Sequence, residues 1–379
     1  MDVPTWVWAL TIAAIVGMLA FDLFGHVRTP HAPSMRESAI WSSVYVGIAV
    51  VFGLLVFAFS GATYGGEYFA GYITEKSLSV DNLFVFVLIM TSFAIPRELQ
   101  QKVLLYGITF ALVLRTVFIV IGAAAIENFS WVFYLFGAIL IYTAVVQARS
   151  GGHSKDEEFK ENSVLRLTRK VLPTTEEYHG DKMVTKIDGK RFITPLAVAL
   201  IAIGSADILF AVDSIPAIFG LTEETFLVFA ANAFSLLGLR QLYFLIDGLL
   251  DRLVYLAYGL AVILGFIGLK LLIHALHENE LPFINGGEHV TAVPEIPTWL
   301  SLGVIVVTLV VTTLASLAKD KKVKQQQAAA GLPVTGTGGA SGPAAPQTDA
   351  DTGSETGTAS DTGSPDTASR DADGLPAPR

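Results

Sequence analysis

Two stretches of this 379-residue sequence set carboxylates inside runs of Leu, Val, Ile and Phe. The first, ITEKSLSVDNLFVFVLIM at 73–90, holds Glu75 and Asp81, and the second, AIGSADILFAVDSIPAIFG at 202–220, holds Asp207 and Asp213. An acid at membrane depth costs roughly 2.5–3.5 kcal/mol on insertion scales, so it faces a bundle interior and marks an ion or proton path. Within each stretch the acids are six residues apart, which on a regular helix turns them about 120° from each other. Seven residues return to within about 20° of the starting direction, which groups Glu75 with Asn82 and Asp207 with Ser214. Convergence of all four carboxylates on one ligand therefore requires locally broken helices. Gly71 and Gly204 precede the two acid pairs, and Pro216 removes a backbone donor just after Asp213. Unwound backbone there adds carbonyl ligands, an arrangement tolerated in a membrane only around a cavity.

Carboxylate, amide, hydroxyl and carbonyl oxygens suit hard divalent cations such as Mn, Mg or Ca. Na⁺ and H⁺ remain open. Up to four negative charges are excessive for one Na⁺ but reasonable for a divalent ion partly balanced by Arg115 and Arg240. Carboxylates must lose protons before binding metal, so proton coupling follows naturally. The competing structural reading has Arg115 and Arg240 pair with the acids to fix helix packing. Asn232 is a further polar candidate, as ligand or as helix link. The chain has no cysteine, which excludes disulfides and thiolate metal sites. No nucleophile and base pair and no cofactor motif marks an enzyme, and no prosthetic group or nucleic-acid partner is implied.

The elements that must position these residues are membrane helices. With 52% hydrophobic and 16% charged residues and a mean hydropathy of +0.56, the sequence reads as an all-α polytopic membrane protein. About nine apolar runs are long enough to span, beginning near Trp6, Ile40, Ser77, Val103, Trp131, Thr194, Phe226, Leu253 and Trp299. The first has no basic flank and no small-residue cleavage site, so it is retained as a span. Basic residues fall almost wholly in the loops after spans one, three, five and seven and just beyond span nine. The alternate loops hold only Lys76. The N-terminus is therefore expected outside and the C-terminus in the cytoplasm. On that topology spans 3–5 and 6–8 form an inverted repeat of three-helix units, each carrying one acidic motif on its first span and one arginine on its second. Inverted repeats meeting near the midplane are the architecture of many secondary transporters.

Residues 1–320 are expected to form the transmembrane domain, with one long cytoplasmic loop at 149–193 containing the acidic cluster Asp156, Glu157 and Glu158. Residues 325–379 turn to Ala, Gly, Thr, Ser, Pro and Asp and are expected to be a disordered cytoplasmic tail. The LPVTG within it lacks the following apolar anchor of a sorting signal. An outward loop gathers His274, His277, Glu278, Glu280, Glu288 and His289 with no fixed ligand spacing. Asp22, near the inner end of span one, reads either as an interfacial pair with Arg28 or as a path residue, and Lys270 is expected to snorkel.

The blocks GYITEKSLSVDNLFVF, LRTVFIVIGAAAI, TPLAVALIAI, FAVDSIPAIFGLT and NAFSLLGLRQLYFLI resemble, in order, the signature blocks of the TerC family, which includes the Alx proteins. The resemblance covers roughly residues 5 to 318. It implies an integral membrane protein of a family named for tellurium resistance, with several members linked to manganese export. It places the functional acids on Glu75, Asp81, Asp207 and Asp213, with Asn82 and Asn232 as further polar positions. Many members carry Glu where this chain has Gly204. The expected function is export of a divalent cation, manganese first, through a carboxylate-lined site between the repeats. The alternative is a non-transporting membrane organiser or assembly factor.

Overall fold

The computed structural model describes residues 1, 3–25, 33–150, 173–175, 178, 180–187, 189–246, 255–282, 284–290 and 293–329. The chain divides into two units, Met1–Thr337 and Gly338–Arg379. The whole second unit lies outside the described residues, as do Arg28, the cluster Asp156–Glu158 and the LPVTG stretch.

The first unit is helical. It comprises α1 (Thr5–Gly25), α2 (Met35–Ser60), α3 (Ala62–Ser92), α4 (Arg97–Asn128), α5 (Val132–Ser150), a hairpin of β1 (Val184–Ile187) and β2 (Lys190–Ile193), then α6 (Pro195–Phe219), α7 (Thr225–Leu236), α8 (Leu239–Ile246), α9 (Leu256–His277) and α10 (Thr298–Ala329). Local chemistry sets the boundaries. The Ser34 hydroxyl accepts from the Glu37 amide at 3.2 Å to open α2. Gly61, at φ 97°, separates α2 from α3. Pro195 sits in the first turn of α6, where its missing amide proton costs nothing.

Among the described residues, eight helical segments are long and apolar enough to cross a membrane. The ninth expected span corresponds to α3, which at 31 residues is long enough but carries Glu67, Glu75, Lys76 and Asp81 and is not among the eight. Its polarity is accommodated because α3 packs against α2, α6, α7, α9 and α10 and shows protein rather than lipid most of its surface. The helix α10 continues through Ala329, past the Gln325 boundary at which the composition changes.

Helix directions follow from the contacts. Glu67 of α3 accepts from Thr222, just beyond α6, and Gly71 lies against Ile218, so α3 and α6 run antiparallel. Gly107 faces Ile203 while Gly122 faces Phe219, so α4 and α6 run parallel. In the matching relation, α3 runs parallel to α7: Gly71 meets Ala231 and Lys76 Nζ donates to the Ser235 carbonyl at 3.0 Å. The third helices, α5 and α9, cross antiparallel where Gly137 and Gly268 meet. These relations are those of two three-helix units with opposed directions.

One expectation is corrected. The acidic motifs do not lie on broken helices: α3 and α6 are continuous through Asp81 and Asp213, with Pro216 absorbed in the last turn of α6. The break falls in the second helix of the second unit, at Leu237–Gly238, where Gly238 takes φ 78° and α8 restarts.

Candidate functional site

Arg115 on α4 is the centre of the site, and it is fully buried. Its Nη2 donates to Asp207 Oδ1 at 2.9 Å and its Nε to Asp207 Oδ2 at 3.3 Å. Its Nη1 pairs with Glu75 Oε1 from the other side. One arginine thus joins the first acids of both motifs, one from each unit. Fork geometry suits guanidinium and carboxylate, and at zero to 2% exposure a missing partner would leave a bare charge in a dry core.

The second acids are placed differently. Asp81 is half-buried and accepts from Gln147 Nε2 of α5 at 3.0 Å. Asp213 is half-buried on α6 and lies within electrostatic range of both Arg115 and Asp81. The four acids therefore do not converge on one point. Among the described residues no group of three His, Cys, Asp or Glu side chains is placed to hold a metal ion together. The cause is geometric: with α3 and α6 unbroken, six residues keep the two acids of each motif about 120° apart.

Around the acids lie polar atoms with few partners. Glu75 Oε2, the hydroxyls of Thr74, Ser79 and Ser214, and both amide atoms of Asn232 are buried without a hydrogen bond. Asn82 is buried beside them in sequence, at 7% exposure. Half-buried Lys76 has the Ser235 carbonyl as its acceptor.

Arg240 does not join this cluster. Beyond the Gly238 break it points into a separate buried group, donating from Nη2 to Asp22 Oδ1 of α1 at 3.1 Å and from Nη1 to Gln101 Oε1 at 3.4 Å. Gln241 Nε2 reaches both Asp22 oxygens at 3.4 Å. Asp22, 3% exposed on the face of α1 turned toward the protein, thus has interior partners, while the expected pair with Arg28 falls on a residue outside the described ones. Sequence spacing missed Gln147, which sits in the last turn of α5, just before the stretch expected to be loop.

At the other end of α6 a cavity of about 640 Å³ is lined by Glu67, Glu223, Glu224, Glu295, Lys270 and His274. His274 Nε2 stands 2.9 Å from Glu223 and Nδ1 stands 3.4 Å from Glu295. His289 lies instead against the His277 carbonyl. Of the outward His and Glu residues singled out in the sequence, His274 thus lines the cavity, together with Glu residues from other elements.

The sequence model of the Integral membrane protein TerC family matches residues 60–324. A protein of Mycobacterium tuberculosis (strain ATCC 25618 / H37Rv), described as an uncharacterized membrane protein, is 57% identical over 312 residues, covering 82% of this chain and 78% of that one. An uncharacterized membrane protein of Myxococcus xanthus is 38% identical over 314 residues, covering 83% and 92%. The Escherichia coli (strain K12) protein named "Putative membrane-bound redox modulator Alx" is 36% identical over 328 residues, covering 83% and 96%. No solved structure matches the chain.

Proposed function

This chain belongs to the TerC family of integral membrane proteins, and on that premise we propose that it exports a divalent metal cation, manganese first, by exchange for protons. The observation that carries the proposal is the division of labour among the four acids. Glu75 and Asp207 are taken up by Arg115, whereas Asp81 and Asp213, equivalent positions of two opposed units, stay half-buried and near each other. In this reading the two acids that Arg115 does not hold in an ion pair receive the cation. The unpartnered hydroxyl of Ser214 and amide of Asn232, with the Asn82 amide, supply further oxygens. An all-oxygen set suits Mn, Mg and Ca alike. Manganese is placed first on the family likeness.

In this mechanism Arg115 holds the two antiparallel units together at the level of the acids and keeps the local charge from becoming prohibitive. A cation entering between Asp81 and Asp213 displaces their protons, and return of protons releases it. The orientation that goes with export has the N-terminus outside and the C-terminus in the cytoplasm, supported by the basic loops. The organiser reading is favoured by a specific observation as well: Arg115 already has both Glu75 and Asp207 as partners, and such pairs by themselves serve packing.

Proteoliposomes holding the full chain, tested for flux of Mn²⁺, Ca²⁺, Mg²⁺ and Zn²⁺ with and without a pH gradient, decide between the two. Gradient-dependent Mn²⁺ flux is the expected result. No flux of any of the four ions by monodisperse, correctly inserted protein would leave the organiser reading standing.

A further inference from the structure

The hairpin that leads into α6 carries four exposed cations, Lys182, Lys186, Lys190 and Arg191. Its register sets Lys186 directly opposite Arg191. Directly opposed side chains share a face with Cβ atoms about 4.5–5.5 Å apart, where like charges repel. None of the four is in an ion pair with a described residue, whereas nearby Lys102 is matched to Asp181 at 2.7 Å. The hairpin therefore concentrates positive charge, and its directly opposed pair, Lys186 and Arg191, has no ion-pair partner among the described residues.

The hairpin is firmly mounted. Gly189, at φ 79°, provides the left-handed turn position that joins the two strands. The Thr194 hydroxyl donates to the Lys182 carbonyl at 2.7 Å and its amide to the Met183 carbonyl at 3.0 Å. Tyr178 hydrogen-bonds the Phe93 carbonyl, and Tyr178 and Ile193 pack on the main core. These ties reach the end of α3, the second turn of α4 and the first residue of α6. The cations are thereby held where α3 ends and α4 and α6 begin.

We propose that the Lys186/Arg191 face is a docking site for the phosphate groups of anionic phospholipids, with Lys186 and Arg191 closing on one headgroup and Lys182 and Lys190, the latter on the other face of the ribbon, adding longer-range attraction. Arg and Lys recognise phosphate with charge-assisted hydrogen bonds, and the opposed pair offers donors from two sides. A bound headgroup turns the cross-strand repulsion into attraction. The inference rests on the orientation proposed above, which sets the hairpin against the anionic cytoplasmic leaflet. Thr194, the N-cap of the helix carrying Asp207 and Asp213, joins the docked hairpin directly to the site.

The test is native mass spectrometry of the full-length protein in detergent, titrated with phosphatidylglycerol and with phosphatidylcholine of the same acyl chains. The unaltered protein retains phosphatidylglycerol preferentially. At about fivefold per cation near a phosphate, Lys186→Gln with Arg191→Gln weakens that retention about 25-fold and leaves phosphatidylcholine unchanged. Lys182→Gln with Lys190→Gln weakens it less. Neutralising Lys321 and Lys322 at the end of α10, the same change in net charge, leaves it as it was. Equal retention of the two lipids by the unaltered protein, undiminished phosphatidylglycerol on the Lys186/Arg191 variant, or displacement by equimolar inorganic phosphate would each overturn the proposal. Detergent has no sides, so an error of orientation shows separately, as an external reporter fused at Gly189.

Discussion

Arg115 and Asp207 face each other fork to fork, two nitrogens on two oxygens at 2.9 and 3.3 Å, with Arg115 completely buried. Asp207 comes from the opposed unit, and Glu75, from the arginine's own unit, closes it on the other side. Removing the guanidinium leaves two carboxylates without compensation in a dry interior, and breaking a buried pair in this way costs about 3–5 kcal/mol. Arg115→Gln is therefore expected to lower abundance and melting temperature sharply, by fluorescence-detected size exclusion. Arg115→Lys keeps the charge but cannot serve both acids with a planar fork, so it falls between. An Arg115→Gln protein as stable as the unaltered one would remove the triad from any structural role.

Much of this arrangement is legible in the sequence, and the reason is cost. A charge in an apolar run is so unfavourable that it must have a partner, which singled out Glu75, Asp207, Arg115 and Arg240 together. Pairing is another matter. Spacing could not tell which arginine meets which acid, because the break at Gly238 redirects Arg240 toward Asp22, and helix breaks depend on tertiary packing. Gly71, Gly204 and Pro216 all permitted unwinding in the acidic motifs, yet α3 and α6 stay helical there. Permission in local propensity is not a requirement. The opposed directions of the two units followed from the distribution of basic loops, a signal summed over the whole chain and so less sensitive to local detail.

The crossing of α5 and α9 depends on two glycines. A Cβ at Gly137 would stand 2.8 Å from Leu272 Cγ and 3.0 Å from the Gly268 carbonyl, and one at Gly268 would stand 3.0 Å from Leu140 Cβ and 3.1 Å from the Gly137 carbonyl. Backbone cannot yield as a side chain can. Small residues let membrane helices approach closely, and overpacking costs about 1–3 kcal/mol. Gly137→Ala and Gly268→Ala are each expected to lower the melting temperature, while Gly66→Ala, which has open space, does not. Equal melting of all three would show that the crossing relaxes freely.

Gly204 is the position at which the family likeness implies Glu. A Cβ there would lie 2.9 Å from Phe110 Cε1 and 3.0 Å from Cδ1, and the Phe110 ring is half exposed toward lipid. Gly204→Glu is expected to destabilise the protein mainly through this ring. Combined with Phe110→Ala, the substitution should cost less than the two single changes summed. The double-mutant cycle on thermal stability reads the coupling directly. Strict additivity would mean that Phe110 swings aside without cost.

Glu223, in the turn between α6 and α7, has its carboxyl held below the usual glutamate range by the His274 hydrogen bond, against an opposing desolvation. A depressed carboxyl contributes stability that is present above its unfolded value, about 4.3, and is lost as pH falls through the lower folded value. Melting curves taken downward from pH 5 should fall, and Glu223→Gln should flatten part of that fall. The partial exposure of the pair keeps the effect small. An identical pH dependence in the variant would dissociate the His274 contact from stability.

The last test separates the two readings of the acids. Asp81 and Asp213 are half-buried and are not the carboxylates that Arg115 holds, so Asp81→Asn and Asp213→Asn leave the Arg115 ion pairs in place. Asparagine keeps the shape and one carbonyl oxygen, and at position 81 it can still accept from Gln147. Both variants are expected to insert and accumulate normally while losing Mn²⁺ flux in proteoliposomes, because the charge that holds a divalent cation is gone. Glu75→Gln and Asp207→Asn expose Arg115 and are expected to lose protein first and flux as a consequence. Flux per molecule, normalised to inserted protein, distinguishes the cases. Normal Mn²⁺ flux through well-folded Asp81→Asn and Asp213→Asn proteins would mean that these acids do not carry the ion.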